Sequence, residues 1–158
     1  MSISPALIRE LREHFVLDWH GIHGAAHWAR VRANGLRLSE TTGANVRVVE
    51  AFAFLHDSCR LDDAGDPQHG RRAARYAATL NDEFLGLADE ELAQLQEACR
   101  GHSDGMLRAD ATVMTCWDAD RLDLGRVGIR PDPRRLCTEA ARASSVIEWA
   151  YKRRLAAA

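Results

Sequence analysis

Residues 44–57, with the sequence ANVRVVEAFAFLHD, form the stretch that decides the fold. Apolar side chains recur at helical spacing through Val46, Val49, Phe52 and Leu55, and with the alanines they cover most of the helix surface. A helix that is apolar on nearly every side is buried in a protein core. We therefore expect this segment to be the central helix of the molecule.

The sequence on either side of this segment predicts further helices and no convincing strand. Residues 112–117 are the one run that favours strand, and their setting argues for helix. The predicted helices span about Pro5–Asp18, Ala25–Leu38, Ala44–Asp57, Gln68–Leu80, Asp89–Cys99, Ala111–Leu122 and Pro133–Leu155. Gly35 lies within the second of these and weakens its continuity. We predict an all-α, single-domain bundle of about six to seven helices over residues 1–158.

Composition excludes several classes of protein. The chain has 158 residues, 46% of them apolar and 28% charged, which is typical of one globular domain. Its net charge of −2 does not support binding to duplex nucleic acid, and no apolar run is long enough to cross a membrane. Residues 1–15 are too charged for a secretory signal. The four cysteines form no CxxC pair, which favours reduced thiols in a cytoplasmic protein.

The residues with the clearest chemistry are His56 and Asp57, at the end of the apolar helix. Together they offer an imidazole nitrogen and a carboxylate oxygen, and both can reach one cation from the end of a helix. Burying a carboxylate is costly unless it is paired or bound to a metal. His27 and Asp120, on two other predicted helices, complete a ligand set that suits Mn, Mg, Fe, Co or Zn.

The sequence resembles the HD-domain superfamily of metal-dependent phosphohydrolases over about residues 18–130. The matching stretches are HWARV (27–31), FLHDSCR (54–60), DPQHG (66–70), CRGHSDG (99–105) and DADRLDLGRVGI (118–129). The resemblance implies an all-α fold and one divalent metal ion held by His27, His56, Asp57 and Asp120. Asp118 and Asp123 then become candidates to support a ligand or to form a salt bridge with Arg121.

The same resemblance leaves the number of metal ions open. Some members of the superfamily bind a second metal through two further histidines, with the aspartate of the dyad bridging, and His69 and His102 stand in the corresponding order. Alternatively, these two histidines contact the substrate. His23 is a further candidate for either role, and with His20 it could orient His27 or simply occupy a loop.

The activity implied is hydrolysis of a phosphoric ester or anhydride in a nucleotide or other small phosphorylated metabolite. Asp57 would orient the attacking water or take its proton, and Arg60 and Arg121 would neutralise charge on the phosphoryl group. Two alternatives remain: a mixed-valence di-iron oxygenase of the HD fold, and a non-catalytic module that binds metal and nucleotide. The oligomeric state is open, with a homodimer as one option.

Overall fold

The computed structural model describes residues 3–156, and this part of the chain is helical, with no strand. It contains eight α-helices: α1 (Pro5–His14), α2 (Ala25–Thr42), α3 (Val46–Leu55), α4 (His69–Leu80), α5 (Asp89–Gly101), α6 (Ala111–Arg121), α7 (Glu139–Arg142) and α8 (Ser144–Lys152). A π-helical turn, Asn81–Leu85, extends α4, and 3-10 turns lie at Leu124–Val127 and Pro133–Arg135. The prediction of an all-α fold is confirmed.

Helix α3 is central, as its sequence predicts. Asn45 caps its first turn by accepting a hydrogen bond from the backbone N–H of Arg47. The helix contacts α2, α5 and α6, and Phe52 is fully buried among them. Burial of a side chain of this size contributes about 2–3 kcal/mol. This packing holds the end of α3, where His56 and Asp57 lie, inside the protein.

Helix α2 runs without interruption through Gly35 and ends at Thr42, four residues beyond the predicted end. A Cβ atom at Gly35 would overlap the Val49 side chain, so the glycine permits close packing of α2 on α3. Gly43 ends the helix with a φ of 72°, a left-handed conformation that glycine adopts without strain. Gly35, which weakened the prediction of a continuous helix, is therefore the residue that allows α2 and α3 to approach closely.

Helix α1 ends at His14 rather than near Asp18. Phe15 is extended and turns its ring toward the core, where it packs edge-on against Trp28 with ring centroids 5.2 Å apart. Among the described residues, no helix combines the length and apolar character needed to cross a bilayer.

The predicted C-terminal helix over residues 133–155 is wrong as a continuous element. The segment is broken into a 3-10 turn, α7 and α8, with extended backbone at Leu136 and Ala143. The break has a physical cause, because the backbone N–H groups of Cys137 and Thr138 donate to the carboxylate of Asp118. These bonds replace helical ones, and the segment packs through Leu136 in a second, smaller apolar cluster.

Candidate metal centre

Asp57 lies between two groups of inward-facing donor atoms. In the first group, the Nε2 atoms of His27 and His56 are 3.0 Å apart, and Asp57 Oδ2 is 3.5 Å from each. Asp120 Oδ1 completes the group, 3.3 Å from His27 Nε2 and 3.6 Å from His56 Nε2. The structure thus brings together the four residues that sequence analysis proposes as metal ligands, from α2, α6 and the end of α3.

The second group uses the other oxygen of the same carboxylate. Asp57 Oδ1 is 3.2 Å from His69 Nε2 and 3.4 Å from His102 Nε2, and these two nitrogens are 2.8 Å apart. His69 is the first residue of α4 and His102 follows the last residue of α5. The two helix ends meet because Gly70 has no side chain, whereas a Cβ there would overlap the carbonyl oxygen of Cys99.

All four histidines have the same orientation. Each turns Nδ1 to an oxygen acceptor outside the cluster and Nε2 toward Asp57. The acceptors are Asp123 Oδ2 for His27 at 2.7 Å, Phe52 O for His56 at 3.1 Å, Asp66 O for His69, and Cys99 O for His102 at 2.7 Å. A proton on each Nδ1 leaves the Nε2 lone pairs directed into the cluster, as in metal-binding histidines.

This arrangement fits a divalent cation. Two Nε2 lone pairs at about 3 Å repel each other unless a positive charge lies beside them. Asp57 Oδ1 is buried and has no hydrogen-bond partner among residues 3–156, which is costly for a carboxylate. The donor atoms of His27, His56 and Asp57, and those of Asp57, His69 and His102, lie within 4.8 Å of one another in each set. The buried cluster could therefore hold a metal ion in either set.

The electrostatics of the cluster favour positive charge at the same place. Burial and nearby Arg126 would lower the pKa of His27, but the carboxylates of Asp120, Asp123 and Asp57 outweigh them and raise it to about 9. Burial would also raise the pKa of Asp57, yet the surrounding histidines, His56 first, hold it well below its ordinary value. The same carboxylates that favour a proton on His27 favour a cation among the Nε2 atoms.

Comparison with known proteins bears on the fold. No family model and no curated protein matches the sequence. One solved structure, of a protein described as a predicted HD superfamily hydrolase from an uncultured Thermotogales bacterium, matches with a TM-score of 0.70 and 25% sequence identity. The match covers 92% of this chain and 83% of that one. The chain has the HD-domain fold. The resemblance seen in the sequence is thus confirmed for the fold.

Outside the cluster of donor atoms, Asp123 supports His27. Its Oδ2 accepts from His27 Nδ1, and its Oδ1 accepts from Arg30 Nε at 2.8 Å. Arg30 also donates to the carbonyl oxygen of Ala156 at 2.6 Å. Sequence analysis proposes a supporting role for Asp123 with Arg121 as its partner, and the structure corrects the partner to Arg30.

Asp118 does not support the metal ligands. It accepts hydrogen bonds from the backbone of Cys137 and Thr138 and from the Thr138 hydroxyl, at 2.7–2.8 Å. Asp118 also forms no salt bridge with Arg121, whose Nη1 donates to the carbonyl oxygen of Arg135 at 3.1 Å. The role predicted for Asp118 is therefore corrected to a structural one, the anchoring of the C-terminal segment.

The remaining predicted residues lie at different distances from the cluster. Arg60 Nη1 is 3.8 Å from Asp57 Oδ1 and 3.3 Å from His69 Nε2. His23 pairs through Nδ1 with Asp63 at 2.7 Å, and burial lowers the pKa of His23. Its ring lies 6.5 Å from that of His27, and its donor atoms join neither set.

A cavity of about 400 Å³ opens onto Asp57 and Asp120. Several residues that line it were not predicted from the sequence, including Ser103, whose hydroxyl is 3.3 Å from His69 Nε2. Its position directly after His102 is the one signal that could have identified it. Arg126 and Arg135 also line the cavity, but nothing in the sequence distinguishes them from the many solvated arginines.

Proposed function

We propose that this protein is a metal-dependent phosphohydrolase that cleaves a phosphoric ester or anhydride of a nucleotide or other small phosphorylated metabolite. The proposal depends on one observation: the inward-facing donor atoms of His27, His56, Asp57 and Asp120 meet beside a cavity that arginines line and onto which Asp57 and Asp120 open. The likeness to a protein described as a predicted HD superfamily hydrolase supports it.

The residues have distinct roles in this proposal. The first group would hold one divalent ion, and His69 and His102 would share Asp57 with a second. A bound divalent ion lowers the pKa of a coordinated water and polarises a phosphoryl oxygen. When only the first ion is bound, Oδ1 of Asp57, which lines the cavity, would have no partner and would accept a proton from the attacking water. Arg60, beside it, can bind the phosphoryl oxygens and neutralise their developing charge.

The test combines metal analysis with a screen for phosphate release. Purified protein is analysed for bound metals and then assayed on nucleotides and sugar phosphates with Mn²⁺, Mg²⁺, Co²⁺ or Zn²⁺. We expect turnover of at least one phosphorylated compound that depends on added metal and is lost in Asp57→Asn. Metal-loaded protein that releases no phosphate from any compound would overturn the proposal.

A second candidate function is an oxygenase with a di-iron centre. The observation that favours it is the convergence of four histidines and two aspartates, because His69 and His102 join the other four residues around Asp57. Iron content after aerobic purification, with an electron paramagnetic resonance signal from a mixed-valence pair, would favour the oxygenase. Metal-dependent phosphate release without bound iron would favour the hydrolase.

A further inference from the structure

The cavity beside the metal centre carries more positive charge than the carboxylates on its wall can balance. Three of its arginines, Arg121, Arg126 and Arg135, have no carboxylate within salt-bridge distance among residues 3–156, and a fourth, Arg60, has only a long contact of 3.8 Å with Asp57. A fifth, Arg134, is paired with Asp132. Since Asp57 and Asp120 would be committed to a metal ion, the four positive charges are left for a ligand.

Two of these arginines are held in place by neutral partners. Arg126 donates from Nε to the carbonyl oxygen of Ile22 and from Nη1 to that of Asp123, both at 3.0 Å. Arg121 donates to the carbonyl oxygen of Arg135 and to the sulfur of Cys137. Carbonyl and thiol acceptors fix the guanidinium groups without cancelling their charge. Fixed and uncompensated guanidinium groups are preorganised for an anion.

Arg121 also has an unsatisfied donor. Its Nη2 is buried and has no hydrogen-bond partner in the described part of the chain. The adjacent Asp120 faces the histidines, and successive residues point about 100° apart on a helix. Arg121 therefore lies along another part of the wall from the metal ligands, with the Arg135 backbone, whereas Arg60 contacts Asp57 and His69.

The cavity is large enough for more than one phosphate group. Its volume of about 400 Å³ lies within the range of small-molecule binding sites, roughly 300–1,000 Å³. The wall also has an apolar part, formed by Leu107, Leu124, Pro131 and Leu136. A ligand that fills this space would have a body with an apolar face as well as its anionic groups.

We propose that the substrate carries a second anionic group, remote from the phosphoryl group that reacts, and that Arg121, Arg126 and Arg135 bind it. The substrate class is then a phosphorylated compound with two separated anionic groups, the second being a phosphate or a carboxylate. The inference rests on the proposed function, in which Arg60 and the metal ligands take the reacting phosphoryl group.

The experiment measures binding rather than turnover. Calorimetry on EDTA-treated protein at fixed salt compares adenosine 5′-monophosphate with adenosine 3′,5′-bisphosphate, and fructose 6-phosphate with fructose 1,6-bisphosphate. We expect the member with two phosphates to bind about tenfold more tightly in at least one pair. The double variant Arg121→Gln/Arg135→Gln should lose this preference, because glutamine keeps a donor and removes the charge.

Two further variants complete the test. Arg130→Gln removes a charge that pairs with Glu148 outside the cavity, and it should keep the preference. Arg135→Gln alone changes an exposed side chain, so it tests the site even if the double variant does not fold. Equal affinities in both pairs, or a preference that survives in the folded Arg135→Gln variant and in any folded double variant, would overturn the inference.

Failure of the inference and failure of the proposed function give different results. A protein that releases phosphate with added metal but binds both members of each pair equally would contradict only the second anion site. A protein that prefers the bisphosphates but never releases phosphate would contradict only the hydrolase activity.

Discussion

Asp118 and Asp120 are two residues apart on α6, yet they have different partners and different roles. Asp118 accepts three hydrogen bonds from Cys137 and Thr138, and so closes the C-terminal segment onto the bundle. Asp120 faces the Nε2 atoms of His27 and His56. Side chains at positions i and i+2 of a helix point about 200° apart. Helix α6 can therefore present Asp118 to the C-terminal segment and Asp120 to the histidines.

The two carboxylates also differ in the charge of their surroundings. Burial raises the pKa of Asp118, and its neutral hydrogen-bond donors, with a smaller effect of the Arg121 charge, only partly offset this. Burial would raise the pKa of Asp120 as well, but His27 and His56 outweigh it and hold the pKa well below its ordinary value. A buried carboxylate that neutral N–H and O–H groups satisfy is structural. One that meets imidazole nitrogens and a cavity is poised for a cation.

The largest expected effect is on activity, from Asp120→Asn. The amide keeps the size of the side chain but removes the negative charge from the first group of donor atoms. We expect phosphate release to fall by about a thousandfold or more, the equivalent of several kcal/mol of lost transition-state stabilisation. Circular dichroism should show an unchanged helical fold. Near-normal turnover in this variant would remove Asp120 from the metal centre.

The matched change Asp118→Asn should act on stability instead. Its amide group cannot accept from both Cys137 and Thr138, so a backbone N–H loses its partner in a buried place. Leaving one such donor unsatisfied costs about 1–3 kcal/mol of unfolding free energy. Urea denaturation measures this loss, while metal content and turnover should stay close to normal. An Asp118→Asn variant that is as stable as the unmodified protein but no longer binds metal would contradict the structural role of Asp118.

This pair of residues marks how far the sequence alone could predict the site. The convergence of four candidate ligands was predictable, because His27, the His56–Asp57 pair and Asp120 stand in motifs that resemble those of HD-domain proteins. The role of Asp118 was not, because it depends on which side of α6 faces residues 136–138. Two of the three donors to Asp118 are backbone N–H groups, and the pattern of side chains in the sequence does not predict such bonds.

The same limit applies to the fold. The apolar pattern of α3 predicted a buried central helix, and burial of Phe52 and its neighbours confirms it. The pattern after Pro133 also predicted a helix. In the structure, however, the backbone N–H groups of Cys137 and Thr138 donate to Asp118, which is distant in sequence, and these two residues are not helical. Gly35 looked like a helix breaker because its benefit lies in contact with Val49, far away in sequence.

A smaller effect is expected from Asp123→Asn, because Asp123 contacts only the Nδ1 atom of the candidate ligand His27, on the side away from the other donor atoms. The amide leaves Arg30 and the Nδ1 side of His27 without a charged acceptor. Loss of a group that orients a ligand typically lowers metal affinity about 10–100-fold. Titration with a fluorescent chelator as competitor measures it, and Asp82→Asn, at an exposed position, is the control. Unchanged affinity would mean that the bond between Asp123 and His27 serves only the fold.

The smallest effect should come from Glu91, a carboxylate satisfied like Asp118 but nearer the surface. Glu91 accepts hydrogen bonds from Asn45 Nδ2 and the backbone N–H of Ala88, and it pairs with Arg47. These contacts, Asn45 first, lower its pKa although burial opposes the change. A carboxyl whose pKa is lower in the folded protein adds stability above its ordinary pKa near 4.5, and this stability is lost as the pH falls through the folded pKa.

We therefore expect Glu91→Gln to lower the free energy of unfolding at pH 7 by no more than about 1 kcal/mol, as for a partly exposed ion pair. The difference from the unmodified protein should shrink once the pH falls below about 4.5, because Glu91 then becomes protonated in the unfolded chain while it is still charged in the folded protein. Urea denaturation of EDTA-treated protein from pH 7 to pH 3 measures both quantities without a contribution from metal loss. Glu97→Gln, at an exposed position of α5, is the control. A difference that stays constant over this range would show that Glu91 contributes through hydrogen bonds that its neutral form also makes, and would leave Asp120 and Asp57 as the carboxylates whose charge matters.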